Sequence, residues 1–188
     1  MPLHRKFYNR PTLTVARDLL GKKLTRRING AELSGIITET EAYLGTKDSA
    51  CHTYGGKTLR NAVMFGPPGH AYVYFTYGLH YLLNMVTEEE GNPCGVLIRA
   101  IEPLSGLSEM RTRRKQPDKL LTNGPAKLCQ ALDITRSFNG WDLTKGMHLW
   151  VEDFQAVAPE SVLSTPRIGI DYAQKKDREA LWRFLIRS

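Results

Sequence analysis

The sequence predicts a single α+β domain in which helices flank locally paired strands, and three features carry that expectation. A chain of 188 residues with 41% hydrophobic side chains is long enough for one sizeable core. An Asn29-Gly30 pair sits between two strand-like runs. Segments of helical period stand before and after the strand-rich middle, and no internal repeat, low-complexity tract or linker divides residues 1–188.

Taken in order, PTLTVARDLLGKKL places Leu13, Ala16 and Leu20 at helical spacing, with Thr12 suited to cap the start and Gly21 to end the helix. A hairpin should then span roughly residues 22 to 43, turning at Asn29-Gly30. Along its second strand a period of two puts Ile37, Glu39, Glu41 and Tyr43 on one face, and Ile36, Thr38, Thr40 and Ala42 on the other. Residues 46 to 69 contain six glycines and prolines and read as a long ordered loop, which would deliver His52 to the region of Glu41 and Tyr43.

Two or three more strands are expected in HAYVYFTYG, HYLLNMVTE and CGVLIRAIEPL, with Val96, Ile98 and Ala100 alternating against Leu97, Arg99 and Ile101. SGLSEMRTRRK reads as a helix running into a basic, polar stretch that ends at Lys119. NGPAKLCQALDI starts another helix with Pro125 at an early position. The tail joins a loop at Ser164 to Pro166 to a final strand in LWRFLIRS.

The 26 basic and 19 acidic side chains give a net charge of +7 and a pI near 9.4, which favours a polyanion or an anionic membrane surface as partner. Cys51, Cys94 and Cys129 are odd in number, widely spaced and without a C-x-x-C pair. They indicate neither a disulfide framework nor a zinc knuckle, and a reducing cytosol suits them. The opening MPLHRKFYNR lacks the apolar centre of a signal peptide, and AYVYFTYGLHYLLNMV is too short and polar to span a bilayer. A soluble cytoplasmic protein with no membrane partner is expected.

Against this basic background, a carboxylate at the end of the apolar run Ile36-Ile37 is unusual. Glu41 is either a paired structural acid or a base that activates water and stabilises a developing sugar cation. Glu39 could take that part or brace it. Two acids two positions apart on one strand are poorly placed to flank a glycosidic bond from opposite sides, whereas one carboxylate suffices if the leaving group is an already activated, positively charged purine.

Tyr72 and Tyr74 share a strand face and, with Tyr43 and His52, form either core or a stacking slot for a flat ring. Tyr77, before Gly78, is free to project as a wedge. Arg99, in an apolar strand, must meet a carboxylate such as Glu41 or a phosphate. Lys127, in the first turn after NGP, is a candidate phosphate contact or an exposed lysine, and Arg111 to Lys115 form a basic face. No C-x-x-C or H-E-x-x-H pattern supplies His52 with partners, so no metal is expected.

The blocks ETEAYLG, the His52 loop ending in GG, MFGPPGHAYVYFTYG with LLNM, GVLIRAIEPL, GPAKLCQAL and RIGI together resemble the alkyladenine (3-methyladenine) DNA glycosylase family, in order and over nearly the whole chain. The resemblance implies a cofactor-free, monomeric base-excision repair enzyme, a single compact domain with a curved antiparallel β-sheet and flanking helices. Its implied partner is double-stranded DNA containing damaged purines, so the cytoplasmic protein would be nucleoid-associated when bound. Such enzymes flip a damaged purine into an aromatic pocket and hydrolyse its N-glycosidic bond. By matching positions, Glu41 corresponds to the catalytic base, with Arg99 and the backbone carbonyl of Ile168 holding the attacking water. Tyr43, His52 and Tyr74 correspond to the base pocket, and Asn84 to the side chain that crowds a guanine 2-amino group. Tyr77 corresponds to the wedge and Lys127 to a phosphate contact, and Glu39 becomes a supporting acid.

Two other classes compete. A noncatalytic nucleic-acid-binding module would use the aromatics for stacking and explain the charge, but not Glu41 beside them. A zinc nucleobase deaminase needs H-x-E and P-C-x-x-C, and Pro93-Cys94 is followed by Gly-Val-Leu, so the second ligand is missing.

Overall fold

Asn29 and Gly30 adopt φ values of 49° and 84°, the left-handed pair that a two-residue hairpin turn requires. They join β1 (Lys23–Ile28) to β2 (Ala31–Tyr43) in a computed structural model that describes residues 1–76 and 78–187. β2 is the spine of an eight-stranded, curled antiparallel sheet. On one side it pairs with β5 (Cys94–Ser105) over most of its length. On the other, β1 covers its first part and β8 (Arg183–Ile186) its last. Beyond β5 lie β4 (His80–Thr87) and β3 (Ala71–Thr76); beyond β1 lies β6 (Leu149–Glu152); β7 (Val162–Thr165) pairs with β8.

Six helices are present among the described residues: α1 (Arg5–Tyr8), α2 (Thr12–Asp18), α3 (Leu107–Arg114), α4 (Asp118–Leu121), α5 (Pro125–Ala131) and α6 (Lys175–Glu179). Helix α2 packs on β2 and β5, and α5 on β4 and β5. Leu19, Leu33, Ile37, Met85, Ile98 and Leu128 are fully buried between them. At roughly 1.5–3 kcal/mol for each such side chain, this burial holds the helices on the sheet.

The structure corrects several local expectations. Thr12 does not cap α2; it lies within the helix, and its amide and hydroxyl both donate to Glu88 at the end of β4. A distant carboxylate thus satisfies the first free N–H of the helix. Ser164 and Thr165, expected in a loop, belong to β7.

The alternation along the two central strands also breaks. The register passes from Ile37↔Ile101 to Glu39↔Ala100 and then to Thr40↔Ile98, leaving an extra residue first on β2, at Thr38, and then on β5, at Arg99. Each bulge inverts the facing of its strand. Ile37 therefore joins the main core with Ala42 and not with Glu39, Glu41 and Tyr43, and Ile101 joins it in the place expected for Ala100. The same inversion leaves Glu39, Glu41, Arg99 and Tyr43 together on the opposite side.

Candidate active site

Glu41 lies where β2 is paired on both edges, with Leu97 of β5 and Arg183 of β8, and its solvent exposure is 0%. The backbone N–H of Ile168 donates to its Oε1 at 2.9 Å, and Nη1 of Arg99 stands 3.2 Å from the same oxygen. The Tyr43 hydroxyl donates to Oε2 at 2.9 Å. All three neighbours are donors, complementary to oxygens that only accept when the carboxylate is ionised.

Arg99 divides its fork between two acids. Its Nε donates to Glu39 Oε1 at 2.8 Å while Nη1 faces Glu41. Arg183 Nε reaches the same Glu39 oxygen at 2.6 Å, and its Nη1 donates to Thr165. Two carboxylates and two guanidiniums therefore form a neutral chain along the edge of the site, and Glu39 is occupied by both arginines.

A cavity of about 560 Å³ opens beside this chain, lined in part by Tyr43, His52, Tyr74, Asn84, Arg99 and Ile168. His52 and Tyr74 meet edge to face with ring centroids 4.4 Å apart, and Tyr74 stacks on Tyr72 at 5.4 Å. The three rings make one wall, so a flat ligand cannot enter between His52 and Tyr74. Nδ1 of His52 is hydrogen-bonded to the Tyr72 hydroxyl at 3.1 Å. Desolvation by surrounding protein, then the charge of Arg60, hold the imidazole pKa below its ordinary value. Burial pushes the Tyr72 hydroxyl up to about 12. Burial and then the Glu41 charge push Tyr43 well above the phenol range. These rings are neutral near pH 7.

Two loops deliver the walls. Asp48 accepts the amides of Leu44 and Ala50, closing the turn that leads from Tyr43 to His52. Its two oxygens also take a bidentate pair of bonds from Arg167, at 2.5 and 2.8 Å, with both side chains fully buried. Burial opposes the arginine charge, but the Asp48 hydrogen bonds and field more than offset it and raise the guanidinium pKa. Ser49 donates to Asp177, and the Tyr172 hydroxyl to the Ala50 carbonyl, so the loops are joined at further points. Asp48 and Arg167 escaped the sequence reading because they lie 119 positions apart; only the position of Arg167 within the RIGI block signalled it.

Asn84 is buried and donates from Nδ2 to the Tyr72 carbonyl at 3.3 Å, which fixes its amide at the cavity lining. Lys127 is in the first turn of α5, whose Pro125 and Ala126 border the cavity, and its ammonium donates to Asn123. Tyr77, the expected wedge, lies outside the described residues. Of the basic run at 111–115, Arg111 is paired with Asp118 and Arg114 with Gln130. Among the described residues no three His, Cys, Asp or Glu side chains gather where they could hold a metal ion, and no helix is long and apolar enough to cross a membrane.

Relatives provisionally named 3-methyladenine DNA glycosylase include one from Methanocella arvoryzae, 50% identical over 97% of this chain and 90% of its own length. Another, from Clostridium acetobutylicum, is 47% identical over 100% of this chain and 95% of its own. A third, from Carboxydothermus hydrogenoformans, is 52% identical over 91% and 90%. Residues 6–188 match the methylpurine-DNA glycosylase family as a whole, and the chain belongs to that family.

Proposed function

We propose that this protein is a monofunctional DNA glycosylase that flips alkylated or deaminated purines, such as 3-methyladenine, 7-methylguanine, hypoxanthine and ethenoadenine, out of duplex DNA and hydrolyses their N-glycosidic bond. The observation that carries the proposal is Glu41: a carboxylate with no solvent exposure, held by Ile168, Tyr43 and Arg99, which themselves line an aromatic cavity.

The flipped purine stacks between Tyr43 and the wall made by His52 and Tyr74. A neutral imidazole there does not repel a cationic base. On Oε2 the Tyr43 hydroxyl occupies one of roughly two lone-pair positions, which leaves the other to take a proton from water. Arg99 and the carbonyl of Ile168 orient that water toward C1′. As its oxygen bonds to C1′, the C1′–N bond breaks and its electron pair leaves with the purine. A cationic lesion departs neutral and the proton taken by Glu41 passes to solvent; a neutral lesion departs as its anion and takes up an equivalent proton, and in both cases an abasic sugar remains. Tyr77 fills the gap in the duplex, Lys127 contacts a phosphate and Asn84 screens the purine edge. The protein acts as a cytoplasmic monomer that joins the nucleoid on binding DNA.

Incubation with duplexes carrying one ethenoadenine or 3-methyladenine, followed by alkaline cleavage at abasic sites, tests the proposal. Strand scission by the wild type and not by Glu41→Gln is expected. Specific binding with no abasic product would reassign the chain to the nucleic-acid-binding modules.

A further inference from the structure

We infer that Arg167 is a positioning residue for excision, which holds the Ile168 amide on Glu41 and the Tyr43 ring at the cavity wall from a single buried guanidinium. The inference rests on Glu41 being the base, as proposed above.

Four of the five N–H donors of Arg167 are directed at three separate segments. Nη1 donates to the Ala42 carbonyl on β2 at 3.0 Å and to Asp48. Nη2 donates to the other Asp48 oxygen and to the Asp177 carbonyl at 3.2 Å. The guanidinium carbon stands 4.6 Å from the centroid of the Tyr43 ring and 4.9 Å from that of Trp182. Tyr43 is thus backed by a fixed cation. One peptide further on, the N–H of Ile168 meets Glu41 Oε1.

These contacts close a circuit. Glu41 Oε2 holds the Tyr43 hydroxyl, the Tyr43 ring lies against Arg167, Arg167 continues into Ile168, and the Ile168 amide returns to Glu41 Oε1. Both oxygens of the base therefore take their orientation from groups that Arg167 fixes. Stability alone is a weak reason for the arrangement, because well-packed apolar residues often replace a buried ion pair without loss. No apolar side chain can engage two carbonyls and a carboxylate in one plane while stacking on a ring. Displacing a catalytic group by about 1 Å is enough to cost about 100-fold in rate.

Arg167→Lys keeps the charge and gives up the fork and the ring contact. In the folded variant, hydrogen exchange at the Ile168 amide is expected to quicken by at least about tenfold. Single-turnover excision of ethenoadenine at saturation should fall by about 10- to 100-fold. Lesion affinity should weaken severalfold while affinity for undamaged duplex stays constant. A folded variant with wild-type Ile168 protection and wild-type turnover overturns the inference. If Arg167→Lys fails to fold, Trp182→Leu, which removes one stacking neighbour and leaves the ion pair, is measured instead. Smaller changes in the same directions support the inference, and unchanged exchange and turnover overturn it. Failure of the Glu41 assignment would look different: Glu41→Gln would still excise, although Arg167→Lys released the Ile168 amide.

Discussion

Thr38 on β2 and Arg99 on β5 stand at neighbouring levels of the sheet, and the register that pairs the two strands passes over both. One extra residue on each strand inverts both faces and restores the pairing beyond. The result delivers Arg99 to the same side as Glu39 and Glu41 while Ile98 and Ile101 remain in the core. Both bulges lie beside the residues proposed to do the chemistry, a placement such irregularities often have.

Glu41→Gln should reduce single-turnover excision by about 100- to 10,000-fold, the usual worth of a general base, with lesion binding largely retained. The glutamine oxygen can still accept from Ile168 and Arg99, and the Tyr43 hydroxyl can turn to accept from the new amide. Glu39→Gln should be milder, since Arg99 keeps Glu41 as a partner. The reverse ranking of the two variants would move the base to Glu39.

His52 supplies a pH dependence. Its folded pKa is depressed below the ordinary value near 6.5, by desolvation first and then by Arg60. Above 6.5 both folded and unfolded forms are neutral and the contribution to stability is complete. As pH falls from there toward the folded value, the unfolded chain takes up the proton more readily and stability is lost. Thermal midpoints followed between about pH 5 and 8 should therefore drop less steeply on the acid side for His52→Gln than for the wild type. Parallel curves would show that the ring titrates alike in both states.

Lys127→Ala should lower affinity for damaged and undamaged duplex alike and reduce the log–log salt dependence by about one unit, as expected for one lost phosphate contact. Lesion preference should not change. An altered preference at constant slope would place Lys127 at the base and not at the backbone.

Asn84→Ala or Asn84→Ser should raise excision of guanine or 7-methylguanine relative to adenine lesions. The Asn84 amide is held at the cavity lining by its bond to the Tyr72 carbonyl, so an edge bearing a 2-amino group meets a polar group that cannot turn away. Single-turnover rates on matched duplexes separate this from slow product release. Equal losses on every substrate would assign Asn84 a role in holding β3 to β4.

How much of this was legible in the sequence depended on how far each signal reached. The Asn29-Gly30 hairpin, β3 to β5 and α5 were readable because turn chemistry, β-branched runs and an early proline act within a few residues. The facing of Ile37 and Ile101 was misread because a bulge is a property of two strands together, and nothing in either alone marks Thr38 or Arg99 as the extra residue. The cap of α2 was misassigned because Thr12 found a tertiary partner in Glu88. β7 was read as a loop because Pro166 follows its last residue, Thr165, and β6, four residues long, went unread. Asp48 and Arg167 are an ordinary loop acid and an ordinary arginine until the fold brings them together.

Asn61 ties down the loop that carries His52: its Nδ2 donates to the carbonyls of His52 and Gly56, and its Oδ1 accepts from Thr58. With Asp48 clasping the other end, this segment is ordered before DNA arrives. Freezing a mobile loop at each encounter would cost about 1–2 kcal/mol per residue, whereas here that entropy is lost once, during folding. Under the proposed function, sampling therefore carries little conformational penalty, and a normal base pair would be tried and released without the protein refolding around it. The heat-capacity change on binding should accordingly follow the surface that is covered, without the larger signature of coupled folding.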